Sequence, residues 1–266
     1  MTNPSSDPQT FQMGLMEHLR ELRKRIFICA LVVVAGAIAS YTYADLLFAV
    51  LCKPFFTAFP NSPLIGTAPA EAWFLKLKVS IFAGAIITSP VLFYQLWRFV
   101  SPGLYDRERR YVLPFVTLST VLFSFGAYFC YAMVLPLSLA FFHEEFRSIG
   151  VTPTIRLSDH LSMSFTTIFG FGAVFEMPLL AFFLARANLI THQTLLSYVR
   201  HAIVIIFVVA ALLTPPDVLS QLLMAGPLVL LYGVSIFVAY VAAPREPHQL
   251  DKDPLKTASS GLPLAR

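Results

Sequence analysis

Charge is what this chain of 266 residues most lacks. Only 13% of its residues are Asp, Glu, Lys or Arg, and 57% are hydrophobic; a soluble domain carries roughly 25% charged residues. With a mean hydropathy of +0.71, there is too little polar cover for a globular surface, and a soluble fold is excluded. Cysteine is scarce as well. The three present, Cys29, Cys52 and Cys130, form no CxxC pair or Cys/His cluster, which excludes a disulfide framework and a zinc site. Enzyme signatures are missing too: the six histidines form no HExxH, and there is neither a GxSxG nucleophile turn nor a glycine-rich phosphate loop. Neither cofactor nor metal is expected, and internal repeats are absent. The net charge of +4 does not point to nucleic acid, because the basic residues sit at the ends of apolar runs.

What is present is a series of long apolar runs. At ~20 residues per span, the length accommodates six with short loops. The predicted spans are 26–43, 73–97, 111–135, 161–185, 201–214 and 218–241. The first is longer than the core of a cleaved signal peptide and reads as retained. Before it, Phe11, Leu15, Leu19, Leu22 and Ile26 fall on one helical face. Residues 1–25 are therefore expected to carry an amphipathic helix lying on the membrane surface.

Residues 44–72 read as a long, proline-containing loop packed on the membrane face. The third span is expected to stop at Pro136, followed by a short cap helix over 137–146. Gly170 and Gly172 in the fourth span are expected to admit another backbone. The fifth span, with 14 residues, reaches only ~21 Å. Residues 214–217 form a tight turn, and the sixth span is expected to break at Gly226-Pro227. The tail, 242–266, reads as disordered. Fourteen of the nineteen Lys and Arg residues lie on the side of the N-terminus and three on the other. That bias places both termini in the cytoplasm.

Few polar groups interrupt the spans. Glu176 is the clearest, because a carboxylate at mid-membrane costs ~2.5–3.5 kcal/mol on insertion scales. It is either functional or satisfied by a neighbouring helix. Asp217 is an N-cap of the sixth span or a site residue, and Gln221 is placed to hydrogen-bond across a helix interface. On the cytoplasmic side, Glu21 and Glu108 sit among basic residues. Each is an ordinary ion pair (Glu21 with Arg25, four residues on) or an acceptor for a guanidinium, which a carboxylate binds bidentately. A proton-coupled carrier using Glu176 and a membrane scaffold without a substrate stand as alternatives.

Five segments in order carry a resemblance: HLRELRKR at 18–25, PVLFYQLWRFVSPGLY at 90–105, ERR at 108–110, FEMP at 175–178 and LTPPD at 213–217. Together they resemble the TatC subunit family of the twin-arginine protein translocase, over about residues 14 to 241. The resemblance implies an all-α polytopic membrane protein of six spans, both termini inside, with short fifth and sixth spans. It also implies a receptor rather than an enzyme. Signal peptides carrying an arginine pair on folded cargo would bind at Glu21, Glu108 and Phe99, with Arg23 shaping the site by pairing with a carboxylate. Glu176, Thr214, Asp217 and Gln221 would contact single-span TatB- and TatA-type partners in a hetero-oligomer containing several copies of the chain. Ala211 stands where some relatives carry a bulkier residue. Transport would be driven by the proton motive force across a bacterial inner membrane, since no transit peptide is visible.

Overall fold

The computed structural model describes residues 8–60, 62–100, 112–213 and 218–242. Glu108, Thr214 and Asp217 lie outside the described residues, as do the 214–217 turn and the tail beyond 242. The described part is a helical bundle turned inside out. Phe27, Leu31, Ile38, Leu212 and Leu230 present more than half their surface outward. The interior holds Ser119, Ser164, Thr167 and Ser235 beside apolar groups. A lipid solvent accounts for this distribution: outward groups need be no more polar than hydrocarbon, while inward polar groups must bond within the protein. Ser164, Thr167 and Ser235 do so by donating to the carbonyls of His160, Met163 and Leu231, one turn back.

Helix α1 runs from Pro8 to Tyr41 without interruption. The amphipathic segment thus continues the first span and does not fold flat onto the surface as expected; no proline or glycine at 16–26 breaks the hydrogen-bond ladder. Helix α2, Ala44–Ala58, follows at 89° to α1. Much of the expected loop is therefore helical, burying Leu51, Cys52 and Phe55 on one face. Pro54 sits inside α2 and has no N–H for the Val50 carbonyl. The Tyr131 hydroxyl donates to that carbonyl instead, at 2.8 Å.

The second span is bent. Helix α3, Glu71–Ile87, meets α4, Ser89–Val100, at 57°. Pro90 has no N–H to donate to the Ile86 carbonyl across the junction, and the Gly84 carbonyl accepts from both the main-chain N–H and the hydroxyl of Thr88, the latter at 2.7 Å. Gly84 also brings α3 against α1: a Cβ there would lie 2.5 Å from the Ala37 nitrogen and 2.7 Å from the Gly36 carbonyl carbon. This is the close backbone approach that small residues permit. Gly170 and Gly172, expected to serve that purpose, instead receive side chains, those of Leu213 and Phe123 respectively.

Helix α5, Val112–Phe129, continues through a π-helical turn, Cys130–Val134, into α6, Leu135–Ser148. The helix therefore does not end at Pro136. That proline occupies the first turn of α6, where a missing N–H is tolerated, and the wider π turn accommodates the ring. The cap helix over 137–146 is the body of α6. Strand β1, Leu64–Ile65, pairs in parallel with β2, Ile155–Arg156, joining two loops that the sequence did not connect.

Helix α7, Leu157–Val174, passes through Phe175 and Glu176 into α8, Met177–Arg186. Helix α9, His192–Ser197, leads to α10, Val199–Leu213, and then α11, Val218–Ala242. The 15 residues of α10 span about 22 Å, short of a ~30 Å hydrocarbon core. The 25 residues of α11 reach about 37 Å. The sixth span is therefore neither short nor broken: Pro227 lies within a continuous helix.

Candidate functional site

Two polar constellations stand out, and both include residues of α4. The first lies where the charged part of α1 faces α4. His18, Glu21 and Arg25 recur at helical spacings of three and four, which puts them on one face. The His18 ring stacks on Phe99 of α4, with centroids 4.4 Å apart and planes 16° from parallel. Arg25 reaches in both directions. Its Nε and Nη2 donate to Glu21 Oε1, the former at 3.2 Å. Its Nη1 donates to Gln95 Oε1 at 3.2 Å and lies 3.5 Å from the Gln95 main-chain carbonyl oxygen. These bonds hold the Glu21 carboxyl below the usual carboxylate range, with the Arg25 hydrogen bond as the main cause. On the next turn, Arg98 lies over Tyr94 and donates to its hydroxyl.

The structure thus brings together Glu21 and Phe99, two of the predicted site residues. Arg23 is exposed and makes no ion pair among the described residues. The expected pairing falls to Arg25, since a residue four positions from Glu21 shares its face and one two positions away does not. Gln95 and His18 were missed as site residues. Their signal was present: Gln95 and Phe99 also stand four apart, on one face of α4.

The second constellation is inside the bundle. Glu176 sits at the junction of α7 and α8 and is only 8% exposed. Trp97 Nε1 donates to Ser119 Oγ at 2.8 Å, and Ser119 is hydrogen-bonded to Glu176. The chain Trp97–Ser119–Glu176 links α4, α5 and the α7–α8 junction. Glu176 Oε1 has no partner among the described residues. Neither Trp97 nor Ser119 was singled out from sequence, although a tryptophan in an apolar span requires an acceptor for its N–H.

At α10 and α11, Gln221 Nε2 donates to the Phe207 carbonyl at 2.8 Å, the predicted bond across a helix interface. Beside it lies an open apolar groove of about 410 Å³, lined by Ile203, Phe207, Ala211, Leu212 and Gln221 among others.

The chain has relatives among known proteins. The family profile described as "Sec-independent protein translocase protein (TatC)" matches residues 17–227. The chain belongs to the TatC family. It is 40% identical over 232 residues to the Sec-independent protein translocase protein TatC of Campylobacter jejuni, covering 86% of this chain and 95% of the relative. It is likewise 40% identical to the TatC of Aquifex aeolicus over 231 residues, 86% of this chain and 96% of the relative. A crystal structure described as "Twin Arginine Translocase Receptor- TatC" superposes with a TM-score of 0.77 at 39% identity, covering 85% of this chain and 99% of that one. As a TatC-family member the chain is a multi-pass membrane component of a protein translocase, not an enzyme. The matched stretch includes Glu21, Gln95, Phe99, Ser119 and Glu176.

Proposed function

We propose that this chain is the receptor subunit of a Sec-independent twin-arginine translocase in a bacterial inner membrane. It binds the arginine pair of signal peptides on folded proteins at its cytoplasmic face. The observation that carries the reading is the Glu21 carboxylate, ionised, partly exposed and held opposite Phe99. A carboxylate so placed accepts a guanidinium through two parallel N–H bonds, which a lysine ammonium cannot match. Phe99 and His18 supply an aromatic surface beside it. Glu108 holds the second arginine, and Arg23 adds to the local field. Residues 1–25 and 242–266 are cytoplasmic segments flanking a transmembrane domain of residues 26–241, with six spans and both termini inside.

Single-span TatA- and TatB-type subunits dock at α10 and α11, beside Gln221, Thr214 and Asp217, with Glu176 as the polar contact within the membrane. Several copies of the chain join them in a hetero-oligomer driven by the proton motive force. Only α10 is short, so thinning of the bilayer is confined to its side. A bilayer of normal thickness beside α10 in the assembled complex would remove that element. The reading is tested with a photoreactive residue at position 99 in inner membranes. Labelling of an Arg-Arg signal peptide, lost with Lys-Lys and with Glu21→Ala or Glu108→Ala, supports it. Labelling indifferent to both arginines and glutamates would return the chain to the carrier or scaffold readings.

A further inference from the structure

In the receptor-bound state as proposed above, Glu21 faces an incoming guanidinium. In this structure it already faces one. Arg25 donates twice to Glu21 Oε1, while its third contact group, Nη1, rests on Gln95 of α4. Glu21 Oε2 has no partner among the described residues. We propose that Arg25 is an internal stand-in for the cargo arginine, a latch that sets the affinity threshold of the site by competing for Glu21.

The geometry permits exchange without leaving Arg25 stripped of hydrogen-bond acceptors. When an incoming arginine takes Glu21, Arg25 keeps Gln95, which offers both a side-chain and a main-chain oxygen within 3.5 Å. The exchange swaps guanidinium for guanidinium, so an arginine ligand restores what it displaces. A lysine ligand restores only a point charge with no planar fork. The latch therefore lowers the affinity for both ligands by the same factor, so that at a given concentration only the more strongly held arginine ligand displaces it. The side-chain accessibilities fit a part that moves outward: Glu21 is 38% exposed, against 11% for Arg25. The anchored arginine yields its partner while the carboxylate stays within reach of solvent.

This inference rests on the receptor reading, and one experiment separates their failures. Equilibrium binding of fluorescent Arg-Arg and Lys-Lys signal peptides is measured on the purified full chain in nanodiscs, for wild type, Arg25→Gln, Arg25→Lys, Gln95→Leu and the Arg25→Gln/Gln95→Leu pair. With a latch, Arg25→Gln binds both peptides more tightly, by about the same factor of ten for each, roughly the weight of one charge-assisted hydrogen bond. Arg25→Lys falls between. Gln95→Leu binds more weakly than wild type because it removes a resting place for Arg25, and adding Arg25→Gln restores binding.

If Arg25 instead only supports the helix face, Arg25→Gln binds equally or more weakly, and the double variant is no better than Gln95→Leu. That outcome overturns the latch and leaves the receptor reading standing. If wild type itself shows no preference for Arg-Arg, the receptor reading fails first.

Discussion

Ser119 has no surface of its own, and its hydroxyl bonds to both Trp97 and Glu176. A buried polar group left without a partner costs about 1–3 kcal/mol. Ser119→Ala is therefore expected to destabilise the chain by about that amount in thermal unfolding in detergent, because it strands both the indole N–H and the carboxylate. Trp97→Phe, which strands only the serine's acceptor and keeps an aromatic ring against Phe115 and Phe183, is expected to cost less.

At the far end of the bundle Glu71 acts as a staple. Its Oε2 accepts from the main-chain N–H groups of Thr67 and Ala68. Chiefly through the Thr67 bond, these hold the carboxyl down to about 2. A carboxyl depressed in the folded state adds stability above its unfolded value, near 4.5, and loses it as the pH falls toward the folded value. The melting temperature should fall between about pH 4.5 and pH 2, with Glu71→Gln flattening that part of the profile; an unchanged profile would mean that the staple does not hold the cap.

At the scale of the element, what the sequence made legible was apolar length and the order of the spans. What it hid was how each helix ends. Proline removes one donor, which points to a stop at Pro136 and a break at Pro227; what else supplies that bond or accommodates the ring lies in neighbouring turns and helices. The π turn lets α5 continue into α6 past Pro136, and in α2 the Tyr131 hydroxyl substitutes for the N–H that Pro54 lacks. Tyr131→Phe tests that substitution: it orphans the Val50 carbonyl and should lower the unfolding temperature, with a cost of about 1–3 kcal/mol.

The glycines tell the same story. Gly170 and Gly172 were conspicuous as a pair in one span, whereas the backbone contact belongs to Gly36 and Gly84, far apart in sequence. Filling Gly84 places a Cβ within 3 Å of α1 backbone atoms. Gly84→Val should cost about 1–3 kcal/mol or more through overpacking. Gly226→Ala, with nothing within 4 Å, should be tolerated in the same assay.

On the scale of the whole molecule, the candidate site was legible in part. Glu21, Phe99, Glu176 and Gln221 were singled out from residue type and motif, and the structure gives each of these a defined setting. The residues that connect them were not. Arg25 read as an ordinary helical ion pair, Gln95 stood only inside one of the motifs, and Ser119 drew no reading at all. Each acquires meaning only when another helix is laid against it, information that a pattern along one chain does not contain. The assembled picture is of an α1 face whose carboxylate is held against α4, and of an indole on the same α4 bonded into the centre of the bundle. A signal peptide that moves α1 relative to α4 would act on both.

The central claim is that the Glu21 carboxylate reads a guanidinium. The most direct measurement is the affinity of an Arg-Arg signal peptide for the purified chain in nanodiscs, compared between wild type and the near-isosteric Glu21→Gln, with Lys-Lys as the second ligand. The account predicts that wild type prefers Arg-Arg and that Glu21→Gln binds both peptides weakly and alike. Equal affinities for Arg-Arg in wild type and Glu21→Gln, with the preference for arginine preserved, would contradict it.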